Sequence, residues 1–464
     1  MMKKKSRYFI KAMMIFALVS LFSLSFFSSA VFAQTAKKAK KDAKPAVAKQ
    51  VYPGINAPWS EPQKFAYKGT ITIGDASDLT GPAGKTVSQM SAGLADWIRY
   101  QNEYLGGVEG YKIAIDIVDT KLDPQNVVNT YNRFIDEGKL IIYSGGGYTT
   151  PVSTEICNRR KTPTLGSSGS VTQAIMTTAE EAKRDNYFFQ MSPVVASRQA
   201  ILVKFCLEIW KKKGKTGIPK FGTFNVDSQS GHEAATAARM YIKKHGAEFA
   251  LHTFHAPMIT DAKAQVTALK NAKVDFIIQG PDYDQPLTVF ALELNRQRSV
   301  SWQPIFAGHT DFGTAYIDTG NKVFEGHYSY QYCLDWSDVN EPIIAFLHDL
   351  NKKWHPEVKK RPFLYQTGVQ AGMVIAETFK RAIKKYGDPS KLDGVKIRQI
   401  METLKGFDPL GISGPITYTH YDHQGVSSLR IAECKDKKMV AVTGFIKADP
   451  LAPEERDGKY WLKD

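Results

Sequence analysis

An α/β fold with parallel sheets is predicted by three features of the sequence. Short apolar runs such as ITIGDASDL (71–79) and YKIAIDIVDT (111–120) alternate with amphipathic stretches of helical length, the pattern of strands joined by crossover helices. The alternation runs once to about residue 195 and restarts at KFGTFNVD (220–227), giving two βα series. A chain of 464 residues is also too long for one ordinary core, so two domains are expected.

The elements come in order. After ITIGDASDL and the turn TGPAG comes SQMSAGLADWIRYQNEYLGG, amphipathic and closed by glycines as helices commonly are. YKIAIDIVDT reads as a strand and 123–138 as a helix. LIIYSGGG, TPTLGSS and YFFQMSP are the next strands, with the helical stretch TTPVSTEICNRRK between the first two. SRQAILVKFCLEIWKKKG is a helix with a Lys-rich end. KFGTFNVD, FALHTFHAP, VDFIIQG and QPIFAGH are strands separated by helical stretches near 231–245, 261–272 and 284–297. GHYSYQY is extended. Two long helices, EPIIAFLHDLNKKW and YQTGVQAGMVIAETFKRAIKKYG, and a short one, GVKIRQIMETLK, lead to a β-rich end with ITYTHYD, SSLRIAE and MVAVTGF.

The N-terminus reads as a targeting segment. MMKKKSRYFIK is basic, AMMIFALVSLFSLSFF is apolar, and AVFA at 30–33 places small residues at the expected cleavage positions, so 1–33 is a signal peptide. Residues 34–60 form a Lys/Ala-rich tether with little apolar mass to bury, expected to be disordered. Residues 1–49 hold eleven Lys and Arg against the single acid Asp42, which is +10 of the formal +15. The chain from residue 50 onward is only mildly basic, so the high pI argues little for nucleic acid. Cys157, Cys206, Cys333 and Cys434 show no metal-ligand spacing, and their redox state is open.

Residues 143–170, YSGGGYTTPVSTEICNRRKTPTLGSSGS, put glycines and hydroxyls after each of two strands. They form either flexible loops or a polar cradle of backbone N–H groups and short hydroxyls. Open α/β sheets bind ligands outside the carboxyl ends of their strands. Both loops lie at such ends.

The order of segments resembles the type I periplasmic substrate-binding proteins of ABC importers, in particular the Leu/Ile/Val-binding group. ITIGDASDLTGPAG looks like that family's first strand and turn. DPQNVVNTYNRFIDEGKLIIYSGG is similar to its second helix and third strand, and TPTLGSSGS to its fourth strand and ligand loop. YFFQMSPVVASRQA resembles its fifth strand and first crossover. FNVDSQSGHEAATAARMYIKKHGAEF with ITDAKAQVTALKNAKVDFIIQG resembles the opening of its second lobe, and GPITYTHYDHQG its late β-hairpin. The match covers roughly 70–445. It implies two Rossmann-like lobes joined by a three-segment hinge, with lobe 1 at 66–195 plus 332–428 and lobe 2 at 196–331 plus 429–464.

The resemblance also implies the site. Family members hold a ligand carboxylate with backbone N–H groups and hydroxyls from the first-lobe loops. Glycines let backbone approach, and hydroxyls donate without a buried counter-charge. The matching positions are Ser170 and Ser168 in the second loop, Tyr148 and Thr149 in the first, and Thr86, which stands where an aromatic is usual. From the second lobe come Ser230, Asp282, Tyr283, Thr310 and Asp311, with Thr310 in the register where amino-acid binders place an acid.

Other constellations are weaker. His252 and His255 in HTFH sit three apart in a strand, on opposite faces and poorly placed for chelation. HYDH (420–423) falls in a hairpin and reads as a solvated turn. GSSGS lacks the nucleophile-elbow pattern and GGGYTT the Lys of a phosphate loop. The expectation is therefore a periplasmic, non-enzymatic receptor without cofactor or metal. It captures a small amphipathic carboxylate such as a branched-chain amino acid and delivers it to a permease. The alternatives are an aromatic or aliphatic carboxylate without an amine, a secreted serine hydrolase using Ser168 or Ser170, and a tethered sensory or adhesion module.

Overall fold

The computed structural model describes residues 62–145, 150–167, 169, 174–175, 185–309, 322–451 and 455. The expected signal peptide (1–33) and tether (34–60) lie outside them.

The first βα series folds as expected. β1 (Gly69–Ser77), β2 (Tyr111–Asp119), β3 (Ile142–Ser144), β4 (Thr164–Gly166) and β5 (Phe188–Gln190) form one sheet in the order β2-β1-β3-β4-β5. Every pairing in it is parallel. Between them run α1 (Gly84–Leu105), α2 (Pro124–Asp136) and α3 (Thr150–Arg160). The local signals act as read. Gly106 ends α1 in a left-handed conformation, φ 74°, where a side chain would be strained. Asp123 caps α2 from outside, accepting from the Asn126 N–H, with Pro124 in the first turn.

The second series has the same order. β6 (Lys220–Val226), β7 (Glu248–His255), β8 (Phe276–Ile278), β9 (Ile305–Gly308) and β10 (Tyr328–Gln331) run β7-β6-β8-β9-β10. These pairings too are parallel. The connecting helices are α4 (Val195–Lys212), α5 (Gln229–Lys244), α6 (Lys263–Asn271) and α7 (Asp284–Gln297).

The remaining chain is shared out between the two sheets. α8 (Pro342–Trp354), α9 (Phe363–Tyr386) and α10 (Gly394–Met401) come after β10. α9 lies on α1 at very close range: a Cβ on Gly93 would sit 2.0 Å from the Tyr365 carbonyl oxygen, and one on Gly368 1.9 Å from that of Met90. Only glycine admits this crossing. β11 (Thr417–Thr419) and β12 (Asp422–Gly425) form the expected hairpin. β13 (Ser428–Lys435) then pairs antiparallel with β10, β14 (Lys438–Ala441) adds outside it, and β15 (Ile446–Lys447) pairs β13.

The hairpin corrects one expectation. Only part of HYDH is a solvated turn: His420 and Tyr421 form the turn and Tyr421 is exposed, but His423 is fully buried and stacks on Phe189 at 3.9 Å. Its Nδ1 meets the Phe188 carbonyl at 2.9 Å and its Nε2 the Glu402 carboxylate at 3.3 Å. The cysteine question also closes: all four are buried free thiols.

The chain passes between the sheets three times: after β5, after β10, and between β12 and β13. The crossings hold one another. Tyr418 Oη donates to the Gln190 carbonyl at 3.0 Å, and the Leu334 N–H to the Ile412 carbonyl at 2.7 Å. Arg198, fully buried in α4, donates to the Pro193 carbonyl and the Ser192 hydroxyl and lies over the Tyr330 and Tyr332 rings.

Candidate functional site

Each sheet reverses its strand order once, between β1 and β3 in the first and between β6 and β8 in the second. Such switch points open a crevice at the carboxyl edge of a parallel sheet. The two are closed in the same way. Ser77 Oγ, at the end of β1, accepts from the Gly145 N–H at 3.1 Å, while Asn225 Oδ1, near the end of β6, accepts from the Gly280 N–H at 2.8 Å.

In the first sheet a line of buried hydroxyls braces the strand ends. Ser167 Oγ donates to the Gly145 carbonyl, Ser192 Oγ donates to the Ser167 carbonyl, and Arg198 Nη2 donates to Ser192 Oγ, each at 2.7 Å. At its start Ser77 Oγ donates to Asp75, whose pKa is raised to about 6 by burial, against the opposing hydroxyls of Ser77 and Ser91. The β1–α1 turn is held by two carboxylates. Asp78 accepts from the N–H groups of Gly81 and Ala83, and Asp119 from those of Leu79 and Lys121. Thr86 is buried in the first turn of α1, and its Oγ1 has no partner among the described residues. Tyr148, Thr149, Ser168 and Ser170 lie outside the described residues. Their described neighbours Gly145 and Ser167 belong to the braced line.

β5, α4, β6 and the residue after β8 present amides. Gln279 Oε1 accepts from the His309 N–H, and Gln199 Nε2 donates to the Gln279 carbonyl at 3.4 Å. Gln190 Nε2 donates to the carbonyls of Ser192 and Pro193. These partners fix which way each amide points. The other halves, Asn225 Nδ2, Gln279 Nε2, Gln190 Oε1 and Gln199 Oε1, are buried without a partner among the described residues. Ser230 is half-buried, 3.2 Å from Ser228 Oγ, the cap of α5. Thr310 and Asp311 lie outside the described residues.

Asp282 is buried and already paired. His255 Nε2 is 2.8 Å from its Oδ2, with both side chains shielded from solvent, and the Tyr283 N–H donates to its Oδ1. His255 Nδ1 meets the Ala256 carbonyl at 2.7 Å. Both ring nitrogens thus face acceptors, which only the doubly protonated imidazolium satisfies. Burial works against that charge, but the hydrogen bond and charge of Asp282, with the Ala256 carbonyl, outweigh it and raise the pKa above the usual histidine value. His252 faces elsewhere, with Nδ1 2.9 Å from Thr223 Oγ1.

The two carboxyl edges touch. Tyr283, from the loop after β8, packs on a cluster of Ala83 and Leu122, in the loops after β1 and β2, and Val87, in α1. Next to it Lys85 Nζ lies 3.4 Å from Asp284 Oδ2, in the first turn of α7. Lys85 and Asp284 went unread in the sequence, where His255 reads only as a poorly placed metal ligand, because each acquires its role from a partner on another element. Among the described residues no cluster of His, Cys, Asp and Glu could hold a metal, and no helix is long and apolar enough to cross a membrane.

Two parallel sheets of matching order, joined by three crossings and facing each other across their carboxyl edges, define a bilobal binding protein of the type I periplasmic class. Residues 70–438 match the family model for periplasmic binding proteins, and the chain belongs to that family. No curated protein matches it. Among solved structures it is similar to a branched-chain amino acid ABC transporter protein from Thermus thermophilus with bound valine, at 17% identity and TM-score 0.69, over 82% of this chain and 98% of that one. A fatty acid ABC transporter substrate-binding protein from Thermomonospora curvata is 18% identical with TM-score 0.69, over 84% and 95%. A leucine binding protein from Thermotoga maritima is 16% identical with TM-score 0.64, over 81% and 99%.

Proposed function

We propose that this protein is the extracytoplasmic solute-binding component of an ABC importer. Residues 1–33 direct export and are removed, and 34–60 serve as a tether. Two lobes, 66–195 with 332–428 and 196–331 with 429–464, close on a small amphipathic carboxylate and present it to the permease without chemical change. The observation that carries this reading is the meeting of the two carboxyl edges at Tyr283 and Lys85–Asp284, because a solute held between them makes closure dependent on occupancy.

The carboxylate is assigned to the first lobe, where the braced strand ends lead into the loops carrying Tyr148, Thr149, Ser168 and Ser170, with Thr86 at their edge. Ser230, Asp282, Tyr283, Thr310 and Asp311 are assigned to the facing side. Of the two forms of ligand, one observation favours the carboxylate without an amine: the charge of Asp282 is neutralised by His255, and the neighbouring buried groups are amides. A branched-chain amino acid then depends on Asp311 for its ammonium group. Mass spectrometry of the small molecule released by denaturing the purified protein tests this reading directly. Stoichiometric recovery of an unaltered carboxylate is expected. Turnover of an added ester or amide by Ser168 or Ser170 would replace it with the hydrolase reading.

A further inference from the structure

A groove of about 650 Å³ lies between α1 and β2, an edge strand of the first sheet. Its apolar lining is Phe65, Tyr67, Ala95, Ile98, Ile113 and Ile115. Phe65, Tyr67, Ala95 and Ile115 are half-buried, so apolar surface is open to the groove. Ile117, two residues further along the same face of β2, is 44% exposed. The strand edge itself is closed at Ile113, where the Asn102 amide accepts from the N–H at 3.0 Å and donates to the carbonyl at 2.8 Å. The groove therefore offers an occupant a surface for side chains rather than a ladder of backbone hydrogen bonds.

The chain itself leads into this groove. Going back from β1, the Lys68 N–H donates to the Gly110 carbonyl, the Phe65 ring lies 3.0 Å from where a Cβ on Gly106 would stand, and the Gln63 N–H donates to the Glu103 carbonyl at 2.9 Å. Each contact lies further back along α1 than the one before. Ala95 is eight residues before Glu103, about 12 Å along the helix axis. Four extended residues before Gln63 span about 13 Å, which carries the chain to Trp59. The composition changes at the same place. Residues 34–50 hold no aromatic residue and only Val47 among the large aliphatics, whereas 54–59, GINAPW, supplies Ile55 and Trp59. Pro58 fixes the backbone beside Trp59 and lowers the cost of ordering it. Charge agrees: Glu61 is the only acid from 43 to 61, and Lys64 and Lys112 at the groove have no ion-pair partner among the described residues.

We propose that residues 54–59 dock in this groove, with Trp59 seated over Ala95 and Ile115 and Ile55 reaching toward Ile117. Because the segment is already joined to the wall at Gln63, its effective concentration there is on the order of millimolar, which favours it over a second copy or a free partner. The free part of the assigned tether then runs from 34 to 53. The inference does not depend on what the cleft binds.

Hydroxyl-radical footprinting of the exported protein, read residue by residue by mass spectrometry, tests this. Ala95→Glu puts a charge on the groove wall and should speed the labelling of Trp59 at least fivefold over the wild type. Conversely, replacing Ile55 and Trp59 together by Ser should speed the labelling of Phe65 and Tyr67 at least twofold and leave Phe221 and Phe224, in the second sheet, unchanged. The wild-type pattern should persist over a hundredfold dilution. Equal labelling of Trp59 in the wild type and Ala95→Glu, or of Phe65 and Tyr67 with and without Ile55 and Trp59, overturns the proposal. Protection lost on dilution also overturns it, since the occupant is then a second copy. Should Ala95→Glu not fold, Phe65 and Tyr67 decide alone, because residues 55 and 59 precede β1.

Discussion

His255 and Asp282 form a buried ion pair at 2.8 Å in which both ring nitrogens of the histidine face acceptors. The folded protein therefore holds a proton that the unfolded chain gives up near the usual histidine value of 6.5. A raised folded pKa gives stability that is full below the unfolded value and is lost as pH rises through the folded value. The thermal midpoint of the wild type should accordingly exceed that of His255→Gln most at pH 5.5–6.5, and the gap should narrow by pH 9. At the lower pH, loss of one member of a buried pair costs about 3–5 kcal/mol. A gap that widens with pH would contradict the imidazolium assignment.

Asp75 has a linkage of the same sign in a lower pH window. Its folded pKa lies at about 6 against 3.8 in the reference state, because burial disfavours the charge. The native state retains a proton that the unfolded chain has lost, so stability declines as pH rises from about 4 to about 6 and stays lower above that. The full effect is about 3 kcal/mol. Asp75→Asn removes it. Denaturant melts should show this variant gaining on the wild type between pH 4 and pH 7, with no further gain above pH 7.

These two carboxylates mark the boundary of what the sequence discloses. The repeated alternation of period-two runs with amphipathic helices announced both sheets, and nearly every strand appears within a few residues of its apolar run. Local signals such as Asp123 before Pro124, or Gly106 after Leu105, act within a few residues and so are readable. The pairing of His255 with Asp282 spans two strand ends, and that of Lys85 with Asp284 spans two sheets. His423 looked solvated because HYDH is polar, yet the hairpin carries it onto β5. Only the fold brings such groups together, and partner identity rather than residue type then sets their chemistry.

Replacement of Ser170 by Ala should weaken any carboxylate ligand, since a buried anion loses one donor, at about 1.5–3 kcal/mol. Asp311→Asn should weaken an amino acid and leave a simple carboxylate unaffected. Calorimetry of both variants with leucine and with benzoate separates the cases. If Ser170→Ala binds both ligands as tightly as the wild type does, the anion does not sit at these loops.

Lys85 and Asp284 should favour the closed form. The lysine is well exposed, so the pair contributes at most about 1 kcal/mol. Lys85→Glu should therefore lower affinity for the ligand identified by calorimetry a few-fold, more at low salt than at high. Small-angle scattering should show a larger radius for this variant than for the wild type at subsaturating ligand. The exchange Lys85→Glu with Asp284→Lys should restore both values. Failure of the exchange to restore them would show that the pair is incidental to closure.

The late pairing of β13 with β10 has a consequence for biogenesis. Residues 428–435 complete a sheet begun at residue 220, and α9, which packs on α1, lies some 270 residues after it. Neither half can be finished while the ribosome is still making the other, and contacts of such long sequence separation form slowly. A nascent chain thus carries both halves unfinished until almost its full length exists. By the same token, neither half can be excised as one continuous fragment: residues 62–190 alone would bare the face of α1 around Gly93 that α9 covers.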